Sequence, residues 1–150
     1  MSVREQLDTL DKVAKVAELA GISGKIDDER MEFLSGFNIS ETRSQMVNIR
    51  PVGKAINDED VVMIYSPCLV VKKGMLSGIS KEQAIELLKQ NEDSLFGRFG
   101  IWSFKDEDMI VVSSDHMVAT LDPAELEMHM LYIARMADTY EASHSKGDRF

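Results

Sequence analysis

Residues 121–141 read LDPAELEMHMLYIARMADTYE, and the fold turns on how they are used. Asp122 can accept hydrogen bonds from the free N–H groups of a first helical turn, Pro123 suits the first helical position, and Glu125 favours the positive end of the helix dipole. The stretch therefore predicts a helix. Across 126–137 only Glu127, His129 and Arg135 are ionisable near neutral pH. The apolar surface is far wider than the stripe of roughly 100° that a surface helix needs. One face must meet the chain's own core, which leaves a second face to meet something else.

Working back from that helix, residues 98–104 and 109–113 read as two strands joined by the acidic turn KDED, a hairpin. Before them, SKEQAIELLKQ opens on Ser80 with Gln83 three residues on, a capping-box spacing that predicts a short helix to about Gln90. The segment VVMIYSPCLVVKK is the most β-prone of the chain, and its length predicts a central strand bent at Pro67. SQMVNIRPVGKA alternates apolar and polar at Val47, Asn48, Ile49 and Arg50, a half-buried strand with an edge or bulge near Pro51. RMEFLSGF supplies a first strand through Met31, Phe33 and Leu34 after the polar loop SGKIDDE. Residues 2–20 space Val3, Leu7, Leu10, Ala14 and Ala17 as an amphipathic helix, closed by Gly21.

Strands grouped in runs, rather than alternating singly with helices, pair antiparallel. The expected fold is α+β: a twisted, mainly antiparallel sheet of about five strands with flanking helices, in the order α-β-β-β-α-β-β-α. A single domain is expected over 1–142, and SHSKGDRF, 143–150, reads as a mobile polar tail.

The net charge is −9, and residues 76–150, with 7 basic and 14 acidic side chains, supply −7 of it. Such a surface repels polyanions, so no nucleic-acid partner is expected. The apolar runs are too short to cross a bilayer, and the charged opening MSVREQLDTLDKV lacks a signal peptide's apolar segment. No membrane insertion is expected, and the cytoplasm is the expected location. The single Cys68 agrees, since it has no internal disulfide partner.

Chemistry is harder to find. His116 falls in the loop after a strand, His129 on the last helix and His144 in the tail, none at a ligand spacing with another histidine or with Cys68. No metal site is expected. The acidic groups 27–29, 58–60 and 106–108 lack the alternation and central glycine of a calcium loop and read as solvated turns. Cys68 sits in an apolar strand with nothing near to stabilise a thiolate. The paired glycines of GMLSGIS and FGRFG have neither phosphate-loop nor dinucleotide spacing. No catalytic residue, no cofactor and no enzyme activity are expected.

What remains is methionine, ten in 150 residues. A Met-filled core is one reading. The other is an adaptable contact surface on the last helix, made by Met128, Met130, Leu131, Tyr132 and Met136. Burying each such side chain is worth roughly 1.5–3 kcal/mol, so several left exposed on one helix would burden a monomer. A homodimer with this seam is therefore expected.

Two segments carry a family resemblance. AIELLKQNEDSLFGRFGI, with Leu87, Leu88, Asn91, Phe96, Gly97, Arg98 and Phe99, resembles the helix-to-strand passage of YbjN-type bacterial proteins, where a leucine pair precedes an Asn and a Phe-Gly-x-Phe strand. Residues 121–141, through Leu121, Pro123, Leu126, Ala137, Asp138 and Tyr140, are similar to their closing helix. The element order is also that of the class I type III secretion chaperones, to whose fold YbjN proteins are related.

The resemblance implies a small acidic homodimer without enzymatic activity. In the secretion chaperones an effector segment wraps the dimer, docking on apolar patches and adding strands to the sheet. Carried onto this chain, Phe96, Phe99 and Ile101 would pack the sheet under the helices, with Trp102 and Phe104 on the opposite face. Asn91 would satisfy a helix end or turn.

Two functions stand at this point. The first is a non-catalytic, chaperone-like homodimer that binds a protein or peptide client through Leu7, Leu10, Ala14, Trp102 and Phe104. The second is a regulatory or sensory domain of YbjN type that binds a small ligand or a signalling partner.

Overall fold

A computed structural model describes residues 1–145 and 149–150 of the chain. The elements are α1 (Val3–Leu19), β1 (Gly24–Asp27), β2 (Glu32–Asn38), β3 (Ser44–Lys54), β4 (Asp60–Lys72), α2 (Lys81–Asp93), β5 (Arg98–Ser103), β6 (Glu107–Met117) and α3 (Pro123–His144). A single 3-10 turn, Val118–Thr120, links β6 to α3. All strand pairs are antiparallel, in the order β1-β2-β3-β4-β6-β5. The α+β class is as expected, and the sheet has six strands rather than five.

The additional strand is β1, within the stretch taken for a polar loop. It pairs Gly24 with Ser35 through to Asp27 with Glu32. Two things hide it. Four residues with one large apolar side chain, Ile26, are too few to show alternation. The hairpin also turns without glycine or proline: Asp27 Oδ1 accepts from the backbone N–H groups of Glu29 and Arg30, and Met31 takes the left-handed conformation, φ 53°. The bulky residue there gives no turn signal.

Both prolines bend their strands as expected. Register shifts between Pro51 and Gly53 in β3, and between Pro67 and Leu69 in β4. β4 lies inside the sheet between β3 and β6. β6 runs to Met117 rather than stopping at Ser113, because Asp115, His116 and Met117 continue the ladder against Met63, Val62 and Val61. His116 is thus a strand residue and not a loop residue. Ser80 caps α2 through the Gln83 backbone N–H, 3.0 Å, while the Gln83 side chain donates to Tyr140 Oη of α3, 2.9 Å, instead of closing a capping box.

Leu10, Val13 and Ala17 of α1, Leu87 of α2, and Leu126, Met130, Ile133, Ala134 and Ala137 of α3 bury against Val47, Ile49, Val62, Ile64, Ile110 and Val112. The three helices therefore share one face of the sheet. On the other face Trp102 lies over Tyr65, ring centroids 4.6 Å apart, and the Arg50 guanidinium covers Trp102 at 4.6 Å. Tyr65 Oη donates to Glu32 Oε1, 2.8 Å. Phe99 is buried against Tyr140, while Phe96, half-buried just before β5, packs on Tyr132 rather than on the sheet. Ile101 is on the helix side but exposed.

α3 continues beyond Glu141 to His144, whose ring stacks on Tyr140. Of the expected tail, 146–148 lie outside the described residues, Arg149 N–H donates to Glu141 Oε1 at 2.7 Å, and Phe150 O accepts from Met46 N–H. Arg43, from the β2–β3 connection, ties the end of α3 down: Nε to Asp138 Oδ1 is 2.6 Å and Nη2 to Glu141 Oε2 is 3.5 Å. The Glu141 side chain is 1% exposed. Removing one partner from a buried ion pair leaves an uncompensated charge. Arg43→Met should cost about 3–5 kcal/mol of folding free energy in urea titrations. A loss below about 1 kcal/mol would show that the pair is solvent-screened.

Candidate functional site

The core positions of α3, Leu126, Met130, Ile133 and Ala137, follow one another at helical spacing, so Met128, Leu131, Tyr132, Arg135 and Met136 fall elsewhere on its circumference. These five, with Gln90 of α2 and Phe99 of β5, line an open trough of about 740 Å³ that runs on to His144. The second face of the helix therefore exists, and four of the five residues assigned to a dimer seam line it. Met130 does not. It is wholly buried against the sheet, on the stripe shared with Leu126 and Ile133, and can touch no partner.

The trough is braced by polar contacts between its walls. Leu95 N–H donates to Tyr132 Oη at 3.1 Å, Tyr132 Oη meets Ser94 Oγ at 3.0 Å, and Ser94 Oγ donates to Gly97 O at 2.6 Å. Asn91 satisfies neither a helix end nor a turn. Its carboxamide pairs with the outer edge of β5, accepting from Phe99 N–H at 2.6 Å and donating to Phe99 O at 3.1 Å. Among the described residues, Arg135 and His144 are the ionisable side chains of the lining besides the Tyr132 and Tyr140 phenols, and no carboxylate lines it.

The residues assigned to client binding do not form one surface. Leu10 is wholly buried with Val13 and Ala17, because the apolar stripe of α1 is used up by the core. Leu7 is half-buried, and Ala14 borders a separate hollow of about 560 Å³ beside Ile22 and Phe33. Trp102 lies across the sheet from α1, engaged by Tyr65 and Arg50. Phe104, half exposed, follows β5.

A second cluster lies next to the trough. β6 carries His116 to the N-terminal end of α3, where Glu125 and His129 stand one helical turn apart. One ligand atom from each of the three lies within 4.8 Å of the others. His116 Nδ1 is 3.8 Å from Glu125 Oε1, its Nε2 is 3.1 Å from Ser114 Oγ, and the two imidazoles meet edge to face with centroids 4.2 Å apart. Burial holds both histidines below their ordinary pKa; His116 adds to this at His129, while Glu125 opposes it at both. Sequence reasoning, which expected no metal site, missed this group because it sought His–His and His–Cys spacings. The Glu-x-x-x-His step of 125 and 129 was the visible signal, and His116 joins only through the extension of β6.

Cys68 is fully buried, and its Sγ donates to Ile110 O at 3.2 Å. Burial, with the Glu141 carboxylate adding to it, pushes the thiol far up from its ordinary value, so no thiolate forms near neutral pH. The native protein should leave a thiol-specific chromogenic reagent unreacted on the timescale in which a urea-unfolded sample reacts fully. Equal rates in the two samples would place Cys68 at the surface.

Among the described residues no helix is long and apolar enough to cross a membrane. No model of a known protein family matches the sequence, and no curated protein matches it.

Proposed function

We propose that the protein is a non-catalytic, chaperone-like homodimer that holds a segment of another protein in the trough along α3. One observation carries this reading: an open groove walled by the thioethers of Met128 and Met136, by Leu131 and by Tyr132, positions where polarizable and flexible side chains adapt to varied partners. Arg135 at its rim is a cation on a chain of net charge −9. The occupant is accordingly an amphipathic segment with apolar anchors at helical spacing and a carboxylate near them. Ile85 and Leu88 of α2 are exposed apolar side chains outside the trough and are available for self-association. The resemblance in element order to the class I type III secretion chaperones supports the same reading.

A second reading, a regulatory or sensory domain, draws on the trough's volume. About 740 Å³ falls within the range of roughly 300–1,000 Å³ typical of small-ligand sites. Gln90 and Arg135 would then supply the orienting polar groups.

A labelled amphipathic peptide with leucines at i, i+3, i+4 and i+7 and one glutamate distinguishes the readings. Fluorescence anisotropy should show binding that Leu131→Glu weakens at least tenfold. Light scattering at tens of micromolar should give twice the 16.9 kDa chain mass for both proteins. Peptide binding unchanged by Leu131→Glu would remove the trough from the account, and a monomeric mass would remove the dimer. Thermal stabilisation by a metabolite, without peptide binding, would favour the sensory reading.

A further inference from the structure

We propose that His116, Glu125 and His129 form a binding site for a divalent first-row transition-metal ion of the zinc type, joining the end of β6 to the first turns of α3. Two imidazoles and one carboxylate on a strand and a helix are a donor set that such ions take, with water in the fourth position of a tetrahedron.

Three features of the cluster point to a ligand. His129 is 7% exposed, and its Nδ1 is buried with no hydrogen-bond partner. An orphaned buried nitrogen costs free energy that coordination, or a proton-donating partner, would recover. His116 is already oriented: Ser114 Oγ sits 3.1 Å from Nε2, so Nε2–H can donate to the hydroxyl and leave the Nδ1 lone pair facing Glu125. Outer hydrogen bonds of this kind fix the tautomer and orientation of metal-bound histidines.

The third feature is the freedom to close. Tetrahedral donors at about 2.0–2.2 Å from zinc stand roughly 3.4 Å apart, so the 4.8 Å limit of the cluster must contract by up to about 1.4 Å. The Glu125 side chain, 38% exposed, can make that movement by a rotamer change. Asp115, next to His116 in β6, adds negative charge that favours a cation.

The ion would staple β6 to α3 across the 3-10 turn Val118–Thr120 and fix the ring of His129. Phe96 packs edge-on against that ring at 4.7 Å and against Tyr132 of the trough at 5.4 Å. The site is thereby mechanically adjacent to the trough, yet shares none of the trough's lining residues.

The full chain, stripped with EDTA and titrated calorimetrically with ZnCl2, should take up one ion per chain and melt at a higher temperature when loaded. Glu125→Gln and His116→Gln should each weaken binding at least tenfold, and Ser114→Ala about tenfold. Circular dichroism of the metal-free proteins checks that each variant folds. Co²⁺ in place of zinc should give the intense visible absorption of a four-coordinate site, altered in Glu125→Gln. Uptake with equal affinity by the wild type and a Glu125→Gln/His116→Gln double variant would overturn the proposal, as would the absence of heat and melting shift in tenfold excess zinc.

Discussion

The packing of α3 against β3, β4 and β6 is the constraint from which the rest of this structure follows. Leu126, Met130 and Ile133 fill the space over the sheet, while Ala134 and Ala137 let the helix backbone approach it closely. Burying each large side chain contributes roughly 1.5–3 kcal/mol, which makes this seam a major part of the core's hydrophobic stabilisation. The polar end of the helix is not left adrift. Asp138 and Glu141 are turned inward and are held there by Arg43 from the β2–β3 connection. With its inner stripe spent on the core, the helix has a fixed rotation about its axis, and everything on the remaining circumference is determined by that rotation.

Two surfaces result. Over α2 and β5, the stripe from Met128 to His144 lies open, and the contacts of Tyr132, Tyr140 and Asn91 hold the neighbouring elements at trough width. Toward β6, Glu125 and His129 are brought to His116. The trough shares Phe99 and Tyr140 with the core, whereas Met128, Leu131 and Arg135 of its lining, and His116, Glu125 and His129 of the cluster, lie outside the hydrophobic core, so changes at these positions can alter binding without emptying it. On the far face of the sheet Trp102, Tyr65 and Arg50 cover one another, so the large aromatics there act in packing.

Much of the fold was legible in the chain because its long elements carry strong periodic signals and its prolines and caps sit where they act. Asp122, Pro123, Ser80, Pro51 and Pro67 all mark the boundaries or bulges that their chemistry suggests. β1 was not legible, since four residues cannot display a period and Met31 occupies a position where a turn glycine would have announced the hairpin. The candidate site was half legible. That α3 has a second face could be inferred from its breadth of apolar residues. Which methionine faces which way could not, because Met128 and Met130 lie two residues apart on a helix apolar nearly all round. Leu10 was misassigned for a similar reason: an amphipathic stripe looks the same whether it packs on its own sheet or on a partner. The histidine cluster depends on strand register at β6, a long-range property that local spacing does not encode.

That one helix divides its methionines between core and open trough can be examined directly. With methyl-labelled methionine, the ten methyl resonances can be followed as a soluble paramagnetic agent is added. Met128, which is 43% exposed, should be strongly attenuated, and Met130, which is fully buried, should not be attenuated at all. Equal protection of the two would mean that the outer face of α3 is covered in solution, and attenuation of Met130 would mean that the helix is rotated on the sheet; either result would contradict the account.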